Sequence, residues 1–201
     1  METPYRADNL TQVPLEHYLG LLCRADASEV SRRLGLPWDG RGFTLTVLGE
    51  EKHISFPAFD DEGWTDRWRI LFARYLLEGK KVSAPAGFVT YSQMPWGDVY
   101  NEKFRQRCIL RLAGTYGFRP EAYRAVCAAM GAKSVPGSGE GFEFEFLPDL
   151  FVRFILWEGD EEFPPSSQIL FSDNFPQTFA AEDRVVVCEY ILGEMKRAGI
   201  Q

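Results

Sequence analysis

A chain of 201 residues, 45% hydrophobic and 14% aromatic, has ample material for one buried core, and 25% charged residues is ordinary for a globule in water. A formal net charge of −7 and a pI near 5.0 oppose phosphate backbones and anionic lipid surfaces, which argues against nucleic acid and membrane as partners. Lys and Arg are scattered, the densest run being Arg105, Arg107 and Arg111. The opening Met1–Tyr5 has no basic start followed by an apolar stretch, and no run of about 18 apolar residues occurs, so neither an export leader nor a bilayer span is expected. Cys23, Cys108, Cys127 and Cys188 are far apart, which fits reduced thiols in a cytoplasm.

The first helix is expected from Pro14, with Leu15, Tyr18, Leu19 and Leu22 on one face. Asp26 to Glu29 reads as a capping box for a short helix that Gly35 ends. Together they make a helical N-terminal segment of about residues 1–36. Phe43, Leu45 and Val47 alternate with threonines, and Ile54 and Phe56 alternate with His53 and Ser55, so a hairpin turns around Gly49-Glu50-Glu51. From Thr65 to Gly79, Trp64, Trp68, Leu71, Phe72, Tyr75 and Leu76 recur at helical spacing, with Arg67, Arg69 and Arg74 pointing elsewhere.

Residues 80–97 read as an irregular loop rich in aromatics, and a helix follows over about 99–113 on Tyr100, Phe104, Cys108, Ile109 and Leu112. Pro120 opens another helix, which buries Tyr123, Val126, Cys127 and Met130. Residues 133–141 read as a Gly/Ser/Pro loop. Phe142, Phe144 and Phe146 alternate with glutamates in a strand with one wet face. After a turn at Pro148-Asp149, the nearly unbroken apolar run 150–157 reads as a central strand. Gln168 to Phe171 suggests a short strand, and a last helix runs over about 181–196. Antiparallel hairpins with helices between them argue an α+β fold, a small sheet packed against several helices, in one domain over 1–201.

The chemistry-bearing residues are sparse. No Cys-x-x-Cys occurs, and the only histidines are His17 and His53, so no internal zinc or iron–sulfur site is expected and the cysteines read as small buried hydrophobes. Ser172-Asp173-Asn174 matches one β-lactamase-type motif whose two partner motifs are missing. Two acidic groups stand out, Asp60-Asp61-Glu62-Gly63, and Glu158 to Glu162 with Asp173. Carboxylates brought together would hold a hard cation or raise one another's pKa, whereas a charge run at a turn simply faces water. The aromatic loop with Phe88, Tyr91, Trp96 and Tyr100 offers either a ligand wall or a pin for a long loop.

Several of these stretches together are distinctive: Gly35-Leu-Pro-Trp-Asp39, residues 43–49, Arg74-Tyr-Leu76, Met94-Pro-Trp-Gly97 with Tyr100, and Leu156-Trp-Glu-Gly-Asp-Glu-Glu-Phe-Pro164 followed by Ile169-Leu-Phe171, Asp173 and Asn174. In this pattern the chain resembles the prokaryotic family described as domain of unknown function 3786, over about residues 28–195. The resemblance implies a setting in anaerobic bacteria and archaea, with some members fused to an iron–sulfur domain of the kind found in corrinoid one-carbon proteins. This chain has no cysteine cluster for such a domain, so any cluster would come from a redox partner.

The expectation is therefore a non-catalytic small-molecule or metal binding, or accessory, domain of anaerobic redox or one-carbon metabolism. Its pocket would combine Trp96, Tyr100, Trp157, Asp160, Glu161, Glu162, Asp173 and Asn174. The alternatives are an enzyme with Glu161 or Asp173 as general base in an aromatic-lined cleft, and a protein–protein adaptor anchored on exposed Trp96 and Trp157.

Overall fold

The computed structural model describes residues 13–60 and 63–199, so Met1–Tyr5, Asp61 and Glu62 lie outside the described residues. The chain groups into two compact units, one of residues 1–45 and 53–81, the other of 46–52 and 82–201.

The first unit holds helices α1 (Leu15–Leu22), α2 (Ala27–Leu34) and α3 (Asp66–Glu78). Asp26 accepts from the Ser28 amide and caps α2, but Glu29 does not complete the box, because its carboxylate pairs with Arg33 instead. Gly35, at φ 70°, closes α2 in the left-handed conformation that glycine adopts without a steric cost. Gly79 is extended, and the last carbonyls of α3, Leu76 and Gly79, are taken by the Arg33 guanidinium. Arg74 departs from expectation. It is buried, donates to the Tyr18 hydroxyl at 3.1 Å and lies over that ring, since a guanidinium with a hydroxyl and a π-face can leave water.

Strands β1 (Gly42–Val47) and β2 (Glu50–Ser55) form the expected hairpin with a tighter turn, Leu48-Gly49. Both residues have positive φ, 51° and 80°, as a two-residue turn between right-twisted strands requires. Trp38, Phe43 and Phe56 pack ring against ring at the base.

The second unit is a five-stranded antiparallel sheet in the order β3-β7-β6-β5-β4 with helices, an α+β architecture. The strands are β3 (Phe88–Thr90), β4 (Lys133–Val135), β5 (Glu140–Leu147), β6 (Leu150–Trp157) and β7 (Ser166–Ser172). β6 occupies the centre, as its apolar run predicts. The edge strands β3 and β4 lie where sequence reading expects only loops. Each has three residues, too few to show alternation, and exists through pairing with β7 or β5.

Helix α4 (Gly97–Phe104) continues through a π-helical turn, Arg105–Ile109, into α5 (Leu110–Tyr116). Tyr100, Phe104, Cys108, Leu112 and Tyr116 are all buried. A strict four-residue repeat drifts by about 40° per step on a 3.6-residue helix, and a wider turn in the middle brings it back onto one face. Helix α6 (Pro120–Ala129) and helix α7 (Ala181–Ala198) complete the unit. From Ala181 to Leu192 every residue of α7 is buried, so it is an interior helix despite its charges. Arg107 joins it to the π turn, donating to Glu182 at 2.6 Å and to Glu189 at 2.9 and 2.8 Å.

Candidate functional site

Antiparallel pairing separates the acidic residues that sequence reading groups together. Trp157 lies opposite Ser166 and Val152 opposite Phe171, so β7 begins beside the end of β6 and finishes beside its start. Asp160, Glu161 and Glu162 follow β6 at one end of the sheet, while Asp173 and Asn174 follow β7 at the other. The seven residues of β7 span about 20 Å. The clefts between α5, α6 and α7, beside Gly131, and under the hairpin tip are lined by none of the eight residues proposed from sequence.

Each of the eight has its own placement. Asn174 is buried and fully engaged: its amide nitrogen donates to Asp149 O at 2.7 Å and Ser83 O at 2.8 Å, and its oxygen accepts from Ser172. Asp173 is exposed and accepts from the Ala86 amide. Trp157 is half-buried, and its indole lies so close to Gly139 that a Cβ there would sit 2.9 Å from the ring. Tyr100 is buried under the Lys103 ammonium. Trp96, 56% exposed, precedes α4 in the left-handed conformation at φ 63°. Gly97 must follow it, because a Cβ would meet Tyr91 O at 1.9 Å.

The segment Trp157 to Pro165 is a built turn. Asp160 accepts from the amides of Glu162 and Phe163, its own amide donates to Phe163 O, and those amide bonds hold its carboxyl below the usual range, Phe163 contributing most. Gly159 donates to Gly117 O at 3.0 Å, and Pro165 rests on Gly117 where a Cβ would stand 2.1 Å away. The turn leaves Phe163, and Phe118 beside it, each 66% exposed. Glu161 and Glu162 face outward on it.

A cleft of about 740 Å³ lies between α5, α6 and α7. Its floor is apolar: Ala122, Ala125, Val126 and Ala129 of α6, and Leu192 of α7. Three- and four-residue spacing puts the alanines on one face, and their small size leaves the volume open. Its edge carries Arg111, Arg119 and Lys196, and among the described residues no carboxylate lines it. Among the described residues none of these three cations is ion-paired. Arg119 donates to Thr115 O at 3.1 Å and lies over the Tyr116 ring. Burial raises the Tyr116 hydroxyl pKa, which the nearby Arg119 and Arg111 partly offset. By contrast, the cleft of about 600 Å³ under the hairpin tip carries cations already paired, Lys52 with Glu50 and Arg197 with Glu194.

Other reactive groups are buried. Burial lifts the Cys127 thiol to about 12 and raises Cys188 well above its usual value, with Cys108 beside it. Arg184 is 1% exposed. It donates to Pro95 O and lies over Tyr91, with Nε and Nη1 lacking an acceptor among the described residues. Among the described residues no three His, Cys, Asp or Glu side chains converge as metal ligands. None of the described helices is long and apolar enough to cross a membrane.

The model of a domain of unknown function, DUF3786, matches residues 26–194. The chain belongs to that family. No curated protein and no solved structure matches it. The DUF3786 span contains the built turn, α5, α6 and Leu192, while Lys196 lies just past its end. Sequence reading picks out Arg111 within the densest basic run but not Arg119, Lys196 or the groove. The alanine spacing in α6 was the available signal, and it says only that one face is small.

Proposed function

We propose that this chain is a non-catalytic binding domain that holds a small organic ligand in the groove between α5, α6 and α7. The observation that carries this reading is the groove itself. A volume of about 740 Å³ with an apolar floor and a few polar side chains at the edge matches small-molecule sites, which usually occupy about 300–1,000 Å³. The resemblance to DUF3786 suggests an accessory role in anaerobic redox or one-carbon metabolism. Four free cysteines, three of them buried, fit a reducing cytoplasm. The carboxylate-base reading has less support, because Glu161 and Asp173 lie exposed at opposite ends of β7.

A thermal-shift screen over corrinoids, folates, nucleotides and divalent metals tests the reading, run in parallel on Ala125→Trp. A ligand at a hundred times its Kd stabilises the native state by about 2.7 kcal/mol, enough to move the midpoint clearly. Ala125 is exposed, so the indole fills the groove without entering the core. A ligand that shifts the wild type and not Ala125→Trp supports the groove; equal shifts in both rule it out.

A second reading, a protein–protein adaptor, is favoured by Trp96, Phe118 and Phe163, large apolar side chains each more than half exposed.

A further inference from the structure

We infer that the groove takes a soluble single-chain amphiphile with an anionic head, a carboxylate or phosphate monoester. This rests on the groove being the binding site and adds the chemical class of its occupant.

Charge gives the sign of the head. In a chain of net charge −7, several cations of the second unit sit against carboxylates: Arg107 with Glu182 and Glu189, Arg124 with Glu140, Arg153 with Glu143, Arg197 with Glu194. Arg111, Arg119 and Lys196 converge on one cleft with no such neighbour among the described residues. Three exposed like charges around one cleft give it a positive potential that draws an anion and that salt screens. Arg111 and Arg119 both line the groove, and the forked donors of a guanidinium match a carboxylate or phosphate. With no carboxylate in the lining among the described residues, the groove disfavours a cationic ligand.

The floor gives the body. Ala122, Ala125, Val126, Ala129 and Leu192 offer neither donors nor acceptors from their side chains. A sugar or nucleobase laid there would lose its water without replacement, whereas an alkyl chain gains about 25 cal/mol for each Å² it buries. The occupant is taken as a free molecule, since the net charge of −7 opposes approach to an anionic bilayer.

The test is calorimetric titration of the full chain with decanoate, decyl phosphate, decyl maltoside and decyltrimethylammonium below their micelle concentrations, and with anionic-lipid vesicles. The expected result is binding of both anions about tenfold or more tighter than of the maltoside, no binding of the ammonium compound, and weakening as salt rises. Arg119→Gln and Lys196→Gln, both at exposed positions, should each weaken the anions severalfold and leave the maltoside unchanged. If the maltoside binds as tightly as the anions and Ala125→Trp blocks all of them, the anionic class is wrong and the groove stands. If Ala125→Trp, with an unchanged circular dichroism spectrum, binds every compound like the wild type, the groove itself is wrong. Capture by vesicles without binding of free decyl phosphate would overturn the free-molecule source.

Discussion

Ser172 donates to the side-chain oxygen of Asn174 at 2.7 Å inside the second unit, and the same serine oxygen accepts from the Phe151 amide at 3.0 Å. With the Asn174 amide bound to Ser83 O and Asp149 O, two side chains tie the end of β7 to the start of β6 and to the segment entering β3. A residue that looks like a polar member of a binding site is spent on holding backbone.

Asn174→Ala should therefore behave as a core mutation. It strips partners from two carbonyls and one hydroxyl in a buried place, and orphaned buried polar groups cost about 1–3 kcal/mol each. A loss of about 2–4 kcal/mol in urea unfolding is expected, with ligand affinity at the groove unchanged. A loss below half a kcal/mol would show the network to be idle.

Two glycines of one corner should respond in opposite directions. A Cβ on Gly117 would meet Pro165 Cβ at 2.1 Å and Ala113 O at 2.5 Å, so Gly117→Ala forces the built turn off its seat and should cost about 1–3 kcal/mol. Gly114, inside α5, has nothing within 4 Å of that position. Gly114→Ala should stabilise by about 0.5–1 kcal/mol through helix propensity. Thermal midpoints of the two variants check both signs.

Alkali should destabilise the fold through buried thiol and phenol groups. Burial raises the Cys127 thiol from 9.0 to about 12, and the Tyr75 hydroxyl from 10.0 to about 12 against the opposing pull of Arg33. A raised pKa means that the unfolded chain loses its proton first. The stability tied to these groups is complete below about pH 9 and drains away as pH climbs toward 12. Urea midpoints should fall across that window, and a thiol reagent at neutral pH should modify Cys23, the one exposed cysteine, ahead of the other three. Rapid modification of all four in the native state would contradict this.

Much of the architecture is legible because it obeys one period at a time. The amphipathic run of α3, the alternating phenylalanines of β5 and the apolar run of β6 each declare their type. What stays hidden depends on partners. β3 and β4 are too short to signal, Arg74 is buried against Tyr18 from another helix, and the π turn shows as no more than a four-residue repeat. The distinctive acidic motif is real, yet its aspartate closes its own turn rather than reaching a ligand. The groove was invisible because Arg111, Arg119 and Lys196 come from separate elements and only the packing of α5, α6 and α7 gathers them.

The clamp at Arg107 offers the sharpest test of that packing. Its guanidinium pairs with Glu182 and Glu189, whose side chains are 7% and 8% exposed, from a π turn that α5, α6 and four strands separate from α7 in the chain. Removing one member of a buried ion cluster leaves charge that water cannot reach, at a cost of about 3–5 kcal/mol. Arg107→Met should lower the urea midpoint by that measure. Adding Glu182→Gln and Glu189→Gln to the same chain removes the stranded charges, so it should win back part of the loss even though it breaks more contacts. If the triple variant is less stable than Arg107→Met alone, the carboxylates are held by other groups and the π turn is not fixed through Arg107.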